Sequence, residues 1–147
     1  NNLCTDIGWM SLNKKGEQLC GDHVDIVPQG ENSTVVVLAD GMGSGVKANI
    51  LSTLTAKIIS TMMAEGLHVE DCVETIASTL PICAVRGVAY STFTIIKIRQ
   101  QRYVELTRFD NPHTVVLQNG KNYDFKFQTR MIEGKKIYES RFEASEN

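Results

Sequence analysis

Residues of alternating side open the chain: Leu3, Thr5, Ile7 and Trp9 interleave with Cys4, Asp6, Gly8 and Met10, the period of two expected of a half-buried strand. A turn over Asn13 to Gly16 follows. His23 to Val27 and Ser33 to Ala39 predict two more strands, joined by the loop Pro28, Gln29, Gly30, Glu31, Asn32. The second of these, STVVVLA, is apolar on both faces and reads as a central strand. The period then changes. Val46, Ile50, Leu54, Ile58 and Met62 recur every four residues, flanked by Leu51, Ile59 and Met63, and predict one broad apolar helix stripe closed by Gly66. A second helix is predicted over Val69 to Leu80, with Val69, Val73, Ile76, Ala77 and Leu80 inward, acids in its first turn and Pro81 stopping it.

Strands return at Ala89 to Arg99, Tyr103 to Phe109, Thr114 to Leu117, Tyr123 to Phe127 and Ile137 to Phe142, with Asn119-Gly120 as a hairpin signal. Strands, a helical pair and strands again do not alternate as a doubly wound parallel sheet would. The order predicts an α+β fold with helices layered on antiparallel sheet. With 147 residues, no internal repeat and no linker, the chain reads as a single domain over 1–147, and its polar end after Phe142 looks like the edge of an unfinished one.

Composition narrows the function. Fifteen basic against seventeen acidic side chains give a formal charge of -2, which argues against nucleic acid as a partner. No run of 18 apolar residues exists to cross a membrane. Cys4, Cys20, Cys72 and Cys83 lack C-x-x-C spacing and nearby paired histidines, so structural zinc has little support and a reducing, cytoplasmic setting is expected. The chain opens Asn-Asn-Leu-Cys without a signal peptide or initiator Met, as an excised piece of a longer polypeptide would.

Chemistry concentrates at Gly21-Asp22 and at Asp40-Gly41-Met42-Gly43-Ser44-Gly45, where a strand passes into a helix. Carboxylates from Asp22 and Asp40 with a carbonyl of the glycine loop would make an all-oxygen ligand set, suited to Mg²⁺ or Mn²⁺. Two other readings stand beside this one. Asp-Gly can be merely a turn that admits the chain to its helix. The loop could also bind a nucleotide phosphate, although neither phosphate-loop pattern is present, and Lys47 in the first helical turn could attract an anion there. His23, His68 and His113 have no partner at helical spacing and read as surface or hydrogen-bonded residues; Met62-Met63 reads as core filling.

Gly21-Asp22 together with Leu38-Ala39-Asp40-Gly41-Met42-Gly43-Ser44-Gly45-Val46-Lys47-Ala48 closely resembles metal-dependent phosphatases of the protein phosphatase 2C superfamily, in the stage II sporulation protein E branch. Tyr90-Ser91-Thr92-Phe93-Thr94 and Asp110-Asn111-Pro112-His113 resemble that branch's central strand and the loop after the next strand. The resemblance implies a layered α-β-β-α sandwich and a serine/threonine phosphatase in which two Mn²⁺ or Mg²⁺ ions hold a water for in-line attack on a phosphoryl group. Asp40 would bridge both metals, Asp22 would hold one, and Gly41 would add its backbone carbonyl. A phosphorylated bacterial regulatory protein, such as an anti-sigma-factor antagonist, is the implied substrate, and a second copy of the chain a further partner.

The chain departs from the family pattern in one respect. The later Ser-Asp-Gly motif and Asp-Asp pair are absent after Lys121, where Asp124 is the one aspartate and reads as the outward face of a strand. Weak or no activity is therefore expected of these 147 residues alone. The alternative is a catalytically inactive module of the same fold that binds a protein partner.

Overall fold

A computed structural model describes residues 2–79 and 91–146. Eight strands and two helices follow in the order β1 (Asp22–Gln29), β2 (Ser33–Asp40), α1 (Gly45–Ala64), α2 (Val69–Thr79), β3 (Thr92–Arg99), β4 (Tyr103–Phe109), β5 (Leu117–Gln118), β6 (Lys121–Asn122), β7 (Phe127–Ile132) and β8 (Lys135–Glu143). Six strands form one antiparallel sheet in the order β1-β2-β3-β4-β8-β7, and β5 and β6 form a separate two-stranded ribbon. The α+β class expected from the element order is what the chain adopts. Among the described residues, one helix layer and one large sheet of the layered arrangement are present.

Val35, Val37 and Ala39 of β2 and Phe93 and Ile95 of β3 point to the helices and join Ala56, Ile59, Met63, Val73 and Ile76 in the main core. β2 is indeed a central strand. Burial of these aliphatic and aromatic side chains, at about 25 cal/mol per Å², is the main term holding the layers together. The alternate residues of β2, ending in Asp40, therefore lie on the opposite face.

Several expectations are corrected. Leu3 to Met10 is a strand of neither sheet: Leu3, Thr5 and Ile7 are half-buried and their neighbours exposed, but Trp9 is 59% exposed. Alternation encodes which side is covered, and does not by itself supply a neighbouring strand. On α1 the stripe is rotated. Val46, Ile50 and Leu54 are exposed, whereas Ala48, Ser52, Thr55, Ala56, Ile59, Ser60 and Met63 are buried, because small residues let the helix approach the sheet closely. On α2, Ala77 is exposed and Cys72 buried. Leu80, Cys83, Ala89 and Tyr90 lie outside the described residues.

β1 continues through Pro28 to Gln29, which an edge strand tolerates because one side of it needs no N–H donor. Thr114 to Leu117 keeps only Leu117, in the short β5, and Tyr123 to Lys126 belongs to no strand; the partner of β5 is β6, before the predicted segment, and Asn119 and Gly120 both take positive φ in the hairpin turn expected of them. β7 was not among the predicted strands; Glu133-Gly134 makes a second turn of this kind at φ 49° and 73° and leads from it into β8.

Candidate metal centre

Asp22 opens β1 and Asp40 closes β2, and the antiparallel register makes them direct cross-strand partners. The structure thus brings together the two acids that the sequence separates by a whole hairpin. Each is held by its own local turn. Asp40 Oδ1 accepts a hydrogen bond from the Met42 amide at 2.7 Å, while Met42 adopts a φ of 56°. The Asp40 carbonyl accepts from the Thr92 hydroxyl at 3.5 Å, and the Asp22 amide donates to Cys20 Sγ at 3.4 Å.

Two glycines are required by close approach. A Cβ on Gly21 would stand 2.2 Å from the Gly43 carbonyl oxygen, and one on Gly41 would stand 2.2 Å from that of Ala48. The Gly41 amide also donates to the Gly21 carbonyl at 2.9 Å. The glycine loop is therefore folded against the segment carrying Asp22, around a cleft lined by Lys14, Cys20, Gly21, Asp22, Gly43 and Ser44. Cys20 belongs to this cleft wall, where its thiol reaches the Leu12 carbonyl at 3.5 Å and its own carbonyl accepts from Asn49 Nδ2 at 2.9 Å.

The Asp22 carboxyl is held above its ordinary pKa, first by partial desolvation, then by the negative charge of Asp40 and by a hydrogen bond shared with it. Two like charges forced together are a poor resting state, and a cation between them removes the repulsion. The donor set fits a hard divalent ion on this ground: Asp22 and Asp40 offer carboxylate oxygens, and Gly41 follows Asp40 directly. Among the described residues no group of three or more His, Cys, Asp or Glu side chains converges around the pair.

Other candidates resolve into structural roles. His23 Nε2 is 2.9 Å from Asp25 Oδ1. The His68 amide donates to Asp71 Oδ2 at 3.1 Å at the start of α2. His113 is exposed, with its ring beside Phe127 at 6.0 Å. Lys47 and Asp124 are exposed, and Met63 is core. Sequence reasoning placed Asn111 in a family-like loop but gave its buried amide no role, and it missed the Asp25–Ser60 contact; both depend on which faces of distant elements meet.

The family model described as Stage II sporulation protein E (SpoIIE) matches residues 30–132, a stretch that includes Asp40 and Gly41 and begins after Asp22. Among solved structures, the PP2C phosphatase domain with a fragment of the regulatory domain of the cell fate determinant SpoIIE from Bacillus subtilis is 24% identical, with a TM-score of 0.57, over 68% of this chain and 30% of that one. A structure described under the bacterial stressosome, "a modular system that has been adapted to control secondary messenger signaling", gives 16% identity and a TM-score of 0.69 over 91% of this chain and 68% of that one. RsbX in complex with magnesium gives 22% and 0.52 over 88% and 55%. These structures share the fold, and this chain spans under a third of the first of them. No curated protein matches. With more than half of its residues inside the family match, the chain belongs to the Stage II sporulation protein E (SpoIIE) family.

Proposed function

We propose that residues 1–147 form one phosphatase-like domain in which Asp22 and Asp40, with the Gly41 carbonyl, anchor Mn²⁺ or Mg²⁺ for hydrolysis of phosphoserine or phosphothreonine. The observation that carries this reading is the cross-strand pairing of Asp22 with Asp40 at the open end of the β1-β2 hairpin. When bound, divalent ions supply charge stabilisation for the phosphoryl group and a hydroxide nucleophile near neutral pH. The chain's own contribution is placement. The Met42 amide and the Thr92 hydroxyl fix Asp40, and the tight Gly21–Gly41 contact holds the two acid-bearing segments together. No Ser or Cys nucleophile is needed, so Cys20 is part of the wall.

The substrate in this reading is a phosphorylated bacterial regulatory protein in the cytoplasm, an anti-sigma-factor antagonist being the first to try. Membership of the SpoIIE family and the likeness in fold to RsbX support that choice. The free thiols of Cys4, Cys20 and Cys72 suit a reducing compartment. Among the described residues no helix is long and apolar enough to cross a membrane. The second reading is an inactive module that binds a protein partner through the same fold, favoured by the lack of a third converging acid among the described residues.

Hydrolysis of a phosphoserine peptide with and without Mn²⁺ separates the two. The phosphatase reading expects slow Mn²⁺-dependent phosphate release, in keeping with the two acids alone, that falls at least about a hundredfold in Asp40→Asn, as loss of an anchoring carboxylate should cause. Release of phosphate that ignores both Mn²⁺ and Asp40→Asn would overturn it. Tight peptide binding without any release selects the partner-binding module.

A further inference from the structure

Beside the acid pair, the loop that follows β4 turns back onto the start of β3. Asp110 has a φ of 52°, in the left-handed region that non-glycine residues seldom enter, and it forms a parallel bridge with Phe93. This turn carries Asn111 to the strands that hold Asp40. Asn111 Nδ2 donates to the Thr94 hydroxyl at 3.0 Å and to the Leu38 carbonyl at 3.4 Å. Thr94 is the cross-strand partner of Leu38, and in the next row of the same face Thr92 is the partner of Asp40. One carboxamide therefore spans β2 and β3 two positions before the acid.

The loop backbone is held as well. Arg108 stacks over the Tyr138 ring at 4.4 Å and donates from Nη1 to the Asn111 carbonyl at 2.8 Å. The orientation of the amide follows from its neighbours, since turning it over would set Oδ1 against the Leu38 carbonyl, acceptor against acceptor. Asn111 is only 4% exposed, and its Oδ1 has no hydrogen-bond donor among the described residues. A bare buried acceptor is costly, and an apolar side chain of similar size would fill the space without that cost. A left-handed aspartate and an orphaned amide oxygen in adjacent residues are two local penalties accepted at one place, next to the site, for a bond across the two strands.

We propose that Asn111 is a positioning residue of the metal centre: by tying Leu38 to Thr94 it fixes the end of β2 from which Asp40 projects, without itself holding the cation. This rests on the metal-binding reading of Asp22 and Asp40. Thr94 is the second half of the device, and its hydroxyl matters more than its methyl group.

Mn²⁺ titration followed by electron paramagnetic resonance, with thermal melts of the same samples, tests the role. Asn111→Ala and Thr94→Val are each expected to weaken Mn²⁺ binding about tenfold, the usual size of an outer-shell effect. Thr94→Ser, which keeps the hydroxyl, should stay within about twofold, and the double variant Asn111→Ala/Thr94→Val should be no weaker than the worse single one because both act through one bond. A lowered Tm with unchanged Mn²⁺ affinity in Asn111→Ala and Thr94→Val would reduce Asn111 to packing and overturn the inference while leaving the metal centre standing. If Asn111→Ala does not fold, the contrast between Thr94→Val and Thr94→Ser decides alone. Absence of any Mn²⁺ binding by the unsubstituted protein overturns the metal centre and this inference together.

Discussion

Asp22 and Asp25 stand three positions apart on the same strand, on opposite faces of the sheet, and their surroundings move them in opposite directions. Asp25 faces α1. Burial alone would raise its pKa, but hydrogen bonds from His23 and from the Ser60 hydroxyl at 3.0 Å, with the charges of His23 and of Lys57 at 3.6 Å, outweigh that and hold it below the ordinary value. Asp22 faces the cleft and meets another carboxylate, so it is held above. A carboxylate whose partners are all supplied by the chain fastens elements together. One opposed by a second carboxylate lacks a partner that only a cation supplies. The first serves the fold, and the second is the acid we propose for the metal centre.

Breaking the satisfied side should have the larger effect on stability. Asp25→Ala removes the bonds of Asp25 to Ser60 and Lys57 of α1 and is expected to cost about 1–2 kcal/mol, a fall in Tm of about 3–6 °C in a thermal melt, with Mn²⁺ binding by the folded protein unchanged. The same residue sets an acid limb. Its folded pKa lies below the unfolded one, so its contribution is present above about pH 3.8 and is lost as pH falls through the lowered value. Melts of Asp25→Asn should lack that portion of the acid destabilisation.

Asp22 carries the opposite sign and a smaller effect. Its folded pKa is raised, so the metal-free fold is favoured at low pH and loses that advantage as pH rises through the raised value. At neutral pH the pair repels. Asp22→Asn should therefore raise the Tm of the metal-free protein by about 1 °C, the scale of an exposed charge pair, while impairing Mn²⁺ binding. A fall in Tm would mean that the Asp22 carboxylate serves the fold, and the contrast with Asp25 would dissolve.

Much of this was legible in the sequence, for identifiable reasons. Tyr103–Phe109 has the predicted bounds, and Asn119-Gly120 turns where expected, because alternation and left-handed turn residues are local signals. Asp22 and Asp40 were nominated from the glycines beside them, which mark a close backbone approach that only glycine permits. What the sequence hid was relational. The inward face of α1 is lined by Ala48, Ser52 and Thr55, because the sheet rewards close approach more than it rewards a large apolar side chain at Val46 or Ile50. The Asn111 contact joins residues 73 positions apart to Leu38 and shows no periodicity at all.

The central claim is that Asp22 and Asp40 share a cation, and Mn²⁺ titration of the unsubstituted protein, Asp22→Asn, Asp40→Asn and the double variant tests it most directly. Shared coordination predicts that each single change weakens binding at least about tenfold and that the two effects are not additive, because removing either acid already dismantles the same seat. Mn²⁺ affinity that is indifferent to both substitutions would contradict the account.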